Sequence, residues 1–113
     1  MYLYIELWKA KPKWLALTND ERRSIVTSVE SSIEAMVETG VDILGFAIAD
    51  VDTPHRGDYR YIAVWKMPSR EAVESLEKGV EASGWHEYFE QINERGILTS
   101  PSEVLDDMVM PST

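Results

Sequence analysis

Few side chains in this sequence could do chemistry, and they form no familiar catalytic motif. Glu6 lies in the opening stretch Tyr2-Leu3-Tyr4-Ile5-Glu6-Leu7-Trp8, two residues from Tyr4 on one side and from Trp8 on the other. A carboxyl held among rings and away from water can serve as a general base or accept a hydrogen bond from a ligand. The same residue would also suit one half of a structural ion pair. His86, next to Trp85, is of the type that transfers protons or ligates haem, and equally of the type that makes one structural hydrogen bond. Tyr4, Trp8, Tyr61 and Trp65 could wall an aromatic ligand pocket or anchor a subunit contact. His55 and Arg56, in the loop Pro54-His55-Arg56-Gly57-Asp58, could bind an anion at a cavity mouth, although such a loop is also an ordinary solvated turn. The candidate catalytic residues are thus Glu6 and His86, and the candidate ligand-binding residues are Tyr4, Trp8, Tyr61, Trp65, His55 and Arg56.

Other chemistry is excluded by composition. The 113 residues contain no Cys, which removes thiolate nucleophiles, disulfides and Cys-based metal sites. Two separated His residues make no metal site, and the Glu-rich stretch from Glu71 to Glu81 reads as a solvated helix face. No phosphate-cradling glycine motif or nucleophile elbow occurs. No metal and no cofactor are expected. With 20 acidic against 11 basic residues, the net charge of -9 would repel nucleic acid, and no run of Lys or Arg offsets it. The N-terminus lacks the pattern of a secretory signal and no apolar run approaches the roughly 20 residues of a membrane span. A cytoplasmic protein without membrane or nucleic-acid partners is expected.

Six main elements and a short terminal helix would position these residues. Residues 2–8 alternate as a half-buried strand. Thr18 and Glu21 form a capping box that opens a helix, with Ile25, Val26, Val29, Ile33, Met36 and Val37 at helical spacing and Gly40 as its stop. Residues 41–51 and 58–67 read as strands of a hairpin. Pro68 and Ser69 introduce a second helix with Ala72, Val73, Leu76 and Val80 inward and Gly84 at its end. Residues 85–92 fit either a helix or a strand; their aromatic content and the topology favour a strand starting near Tyr88. Ser100, Pro101 and Glu103 cap a short final helix with the stripe Val104, Leu105 and Met108.

The order βαββαβ is the ferredoxin-like split motif, an α+β fold in which two helices cover one face of a four-stranded antiparallel sheet. The first and third strands are then central neighbours. Smooth aliphatic residues suit helices, so Leu3, Ile5, Leu7, Ile62 and Val64 are expected to face them. That leaves Tyr2, Tyr4, Trp8, Tyr59, Tyr61 and Trp65, with Glu6 in their midst, on the opposite face. An aromatic surface of that size requires a cover. A second subunit packed sheet to sheet would supply one, and stacked nucleotide bases another; the acidic charge favours the homodimer.

The segments MYLYIELWK, WLAL, DTPHRGDYRYIAVWKMP and GWHEYFEQINERG resemble the dimeric α+β barrel superfamily, and within it small bacterial families near the darcynins. The resemblance covers most of the chain and implies a single dimeric α+β barrel domain over residues 1–113. It also implies a small-molecule-binding protein or cofactor-independent enzyme, monooxygenase- or isomerase-like, holding an apolar or aromatic ligand in a cavity between sheet and dimer partner. The alternative is a non-catalytic stress-associated or interaction module. A cavity of roughly 300 Å³ or more would favour the first.

Overall fold

A computed structural model describes residues 1–111. The elements follow the order β1 (Tyr2–Ala10), α1 (Pro12–Leu15), α2 (Asn19–Glu38), β2 (Asp42–Ile48), β3 (Tyr61–Met67), α3 (Arg70–Ala82), α4 (Trp85–Tyr88), β4 (Phe89–Ile97) and α5 (Pro101–Val109). The four strands form one antiparallel sheet in the order β2-β3-β1-β4, with β1 and β3 central, as the split motif requires.

Local signals set the helix ends. Glu21 N–H donates to Thr18 Oγ1 at 3.1 Å and Thr18 N–H donates to Glu21 Oε1 at 2.9 Å, completing the capping box of α2. Ser69 accepts from Ala72 N–H at the start of α3, and Ser100 from Glu103 N–H at the start of α5. Gly40 and Gly84, just beyond α2 and α3, adopt φ of 98° and 81°, where a side chain would be strained. The ambiguous segment 85–92 is both of its alternatives in turn: one helical turn at Trp85–Tyr88, then strand from Phe89. β2 and β3 are shorter than the alternation suggested, leaving a twelve-residue connection, 49–60, between them.

The sheet faces are reversed relative to the sequence expectation. The buried core is Tyr4, Val41, Ala63, Trp65, Met67 and Val73, joined by Ile33 and Met36 of α2 and by Ala72 and Leu76 of α3. Tyr4, Ala63, Trp65 and Met67 therefore lie under the helices. Leu3, Ile5, Leu7, Ile62 and Val64 form the opposite face, which no helix covers and where they are half-buried. The expectation failed because α2 does not lie flat on the sheet. None of its residues is buried; it reaches the core through Ile33 and Met36 near its C-terminal end, while Ile25 and Val29, nearer its start, face open space. The interval between α2 and the aromatic face holds a cavity rather than close aliphatic packing. The stripe of α5 is likewise unburied, with Val104, Leu105 and Met108 each more than half exposed.

Candidate functional site

The gap between sheet and helices is a cavity of about 730 Å³, open on one side. Its floor is the aromatic face: Glu6 and Trp8 from β1, Trp65 from β3, Phe46 from β2 and Gln91 from β4. Its walls are Ile25, Val29, Ile33 and Met36 of α2, Ala72, Leu76 and Val80 of α3, and Trp85 and Tyr88 of α4; Ser28, Ser32 and Ser75 add hydroxyls along the helices. The cavity is thus formed within one chain, not between sheet and dimer partner as expected. Its place follows from the reversed faces.

Glu6 is 7% exposed, and it is the buried charged residue of the core. Register puts it there: Glu6 lies opposite Ala63 on β3 and Asn93 on β4. The small Ala63 leaves room for the indole of Trp65, whose Nε1–H donates to Glu6 Oε1 at 2.7 Å. Gln91 Nε2–H donates to Glu6 Oε2 at 2.9 Å and to Asn93 Oδ1 at 2.8 Å, and Trp85 Nε1–H donates to Gln91 Oε1 at 2.7 Å. Both carboxyl oxygens are thus held by neutral donors, with no ion pair among the described residues. Burial raises the Glu6 pKa above the ordinary 4.5; the Trp65 and Gln91 hydrogen bonds and the charge of His86 oppose the rise, and Glu77 adds to it. Tyr4, 1% exposed, has its phenol pushed well above the usual range, by burial first and then by Glu6 and Glu77.

The rings form a continuous arc. Trp65 meets Phe46 at 5.4 Å and 76°, Phe46 meets Trp8 at 6.2 Å and 79°, and Trp8 meets Trp85 at 6.1 Å and 64°. Trp85 then stacks on Phe89 at 4.2 Å. Up to that stack, successive rings meet edge to face, a favoured geometry for aromatic pairs.

The structure brings Glu6, Trp8 and Trp65 together at the cavity. Tyr4 lies beside them in the core, and Tyr61 packs on Trp8 at 5.6 Å, outside the lining. His86 is on α4 but does not line the cavity; its Nε2 lies 3.6 Å from Glu81 Oε2, and its carbonyl accepts from Lys11 Nζ at 2.6 Å. His55 and Arg56 are elsewhere. They line a smaller cavity of about 430 Å³ with Leu7, Ile62 and Tyr59, so they do not close the aromatic cavity. His55 adopts φ of 58°, and Arg56 Nη2 donates to the Tyr59 carbonyl at 3.2 Å. Sequence reasoning missed Gln91, Trp85 and Phe46. The signal for Gln91 would have been the pairing Trp8↔Gln91, which exists only once β1 and β4 are in register. Among the described residues no group of three or more potential metal ligands gathers, and no helix is long and apolar enough to cross a membrane.

A family described as being of unknown function, DUF6616, matches residues 1–110 of the chain. Among solved structures the fold is similar to the crystal structure of the chlorite dismutase-like protein TA0507, with a TM-score of 0.65 and 14% sequence identity. The match covers 93% of this chain and 47% of that one, so the chain spans about half the length of that protein. At that identity the likeness is one of fold. No curated protein matches the chain.

Proposed function

The chain belongs to the DUF6616 family of unknown function, and we propose that it is a small-molecule-binding protein, or a cofactor-independent enzyme, whose site is the aromatic cavity beside Glu6. The observation that carries this reading is a buried carboxyl without an ionic partner among the described residues, at the floor of a cavity of about 730 Å³. Desolvating a carboxyl is costly, and a purely structural position would be served by an apolar residue. Trp65 and Gln91 fix the orientation of Glu6 and leave each oxygen a free lone pair with which to accept a ligand's hydrogen or take its proton. Tyr4 and Tyr61 flank the floor on the same face of the sheet. His86, His55 and Arg56 do not line this cavity and are given no role at it in this reading.

Occupancy can be tested with benzyl alcohol as probe, followed by tryptophan fluorescence, since Trp8, Trp65 and Trp85 line the cavity. Saturable binding is expected in the wild-type protein. Val29→Trp, which fills the space under α2, should abolish it while circular dichroism stays unchanged. Equal binding by the filled variant would place the probe elsewhere and overturn the reading. Glu6→Gln should weaken benzyl alcohol by about tenfold, the worth of one hydrogen bond to a charged group.

A homodimer of this domain is part of the same proposal, now through the aliphatic face. Leu3, Ile5, Val64 and Ile92 make an apolar centre on the side of the sheet away from the helices, beside Leu7 and Ile62, which share a cavity with the 49–60 connection, and with Lys66, Glu90 and Glu94 at its margin. An apolar middle within a rim of both charges is the composition of a subunit interface. Val64→Asp at that centre is expected to halve the mass seen by light scattering and to leave the helices intact. A wild-type protein that stays monomeric at tens of micromolar would end the dimer proposal without touching the cavity, because the two lie on opposite faces. A relation to the darcynin families belongs to the proposal too and is supported by the sequence motifs alone.

A further inference from the structure

We infer that the ligand selected by this cavity is an organic monocation with an apolar body, an amine or quaternary ammonium compound, whose charge sits between Glu6 and the rings of Trp8, Phe46 and Trp65. The inference rests on the ligand-binding reading above and names the class of ligand. Three observations converge on it.

First, among the described residues that line the cavity Glu6 is the one with a formal charge; no Lys, Arg or His joins it. An anion would meet a carboxyl and no compensating cation. A neutral apolar ligand would strip remaining water from Glu6 and return nothing, whereas a cation turns that desolvation into attraction. Second, the rings of Trp8, Phe46, Trp65 and Trp85 line the same cavity as Glu6. Ring faces attract ammonium groups through their quadrupoles, most strongly where water is excluded. Third, the protein carries a net charge of -9, so its long-range field concentrates cations near the opening. Ile25, Val29 and Val80 are left to take up the apolar body.

Binding a cation would hold Glu6 ionised, with its proton passed to solvent. The groups that act on this titration are Glu77 of α3, which Arg95 of β4 engages, and His86 of α4; Tyr4, on the same strand, stays neutral. None of them is a cation in contact with Glu6, so among the described residues no side chain supplies the countercharge that a cationic ligand would bring.

The test compares three molecules of similar size on the wild-type protein by tryptophan fluorescence: benzyltrimethylammonium, its uncharged carbon isostere neopentylbenzene, and the anion phenylacetate. Benzyltrimethylammonium is expected to bind at least about tenfold more tightly than neopentylbenzene, a margin consistent with a desolvated cation–π contact, and phenylacetate not measurably. Calorimetry in two buffers of different ionisation enthalpy should show proton release with the ammonium compound, at pH values just above the ordinary carboxylate range. In Glu6→Gln the preference should shrink to what the rings alone supply, and the proton release should vanish. Equal affinities for cation and isostere, or tighter binding of phenylacetate, would overturn the inference and leave the cavity reading standing. Failure of all three probes and of benzyl alcohol to bind would remove both. The wild-type comparison needs no variant, which matters because the amide introduced by Glu6→Gln would meet the Gln91 amide donor to donor unless Gln91 turns over.

Discussion

Trp65→Phe should lower the stability of the protein by about 3 kcal/mol, combining a lost hydrogen bond to a carboxyl with the cavity left by a smaller ring. Trp65 is 2% exposed, and its Nε1–H holds Glu6 Oε1 at 2.7 Å. Phenylalanine would keep most of the hydrophobic contact and remove the donor, so Glu6 would be left with Gln91 alone. For a domain of this size the loss corresponds to a fall in Tm of roughly 10–20 °C, readable by calorimetry. Glu6→Leu should also destabilise, because it strands the Trp65 indole and the Gln91 amide, two donors that now have no acceptor there. The double variant Glu6→Leu with Trp65→Phe is expected to cost less than the two single losses added together, since each removes the other's unpaired group. Strict additivity would show that the hydrogen bond contributes nothing to the core.

The second large effect is on the pH dependence of stability. The Glu6 carboxyl titrates above its ordinary 4.5 in the folded chain, because burial disfavours the ionised form. A carboxyl raised on folding contributes stability that is fully present below its unfolded pKa and is lost as pH rises through the folded value. Each unit of elevation costs about 1.4 kcal/mol at high pH. Asp58 beside Lys9, Glu87 beside Lys13 and Glu21 in its capping box are lowered instead, so their contributions are present at neutral pH and fade on acidification below 3.8 to 4.5. The windows are separate. Between the ordinary carboxylate range and neutrality, the wild-type protein should lose stability relative to Glu6→Gln as pH rises, as followed by denaturant unfolding at a series of pH values. The amide's conflict with Gln91 shifts the whole Glu6→Gln curve but not its slope. Parallel curves would mean that Glu6 ionises as an exposed carboxyl does and that its burial is unimportant.

What could be read from the sequence was what depends on neighbours a few residues apart. The capping box at Thr18 and Glu21, the serine caps at Ser69 and Ser100, and the glycine stops at Gly40 and Gly84 are local devices, and each stands where its residues indicate. Alternation in β1 and β3 sorted Glu6, Trp8 and Trp65 onto one face, because the period of a strand is two and holds whatever lies above it. The order of elements then gave the ferredoxin-like sheet. What alternation left open was which face the helices cover: both faces are apolar, one aliphatic and one aromatic, so neither is marked as outward. The tertiary structure decided that through packing. Val73 of α3 and Ile33 and Met36 of α2 close on Tyr4, Trp65 and Met67, with the cavity left over Glu6 and Trp8, whereas Leu3, Ile5, Leu7, Ile62 and Val64 lie on the other side of the sheet. The partners of Glu6 were beyond reach for a related reason. Trp65 and Gln91 lie 59 and 85 residues away along the chain, and their hydrogen bonds to one carboxyl exist only when β3 and β4 have both paired with β1 in register.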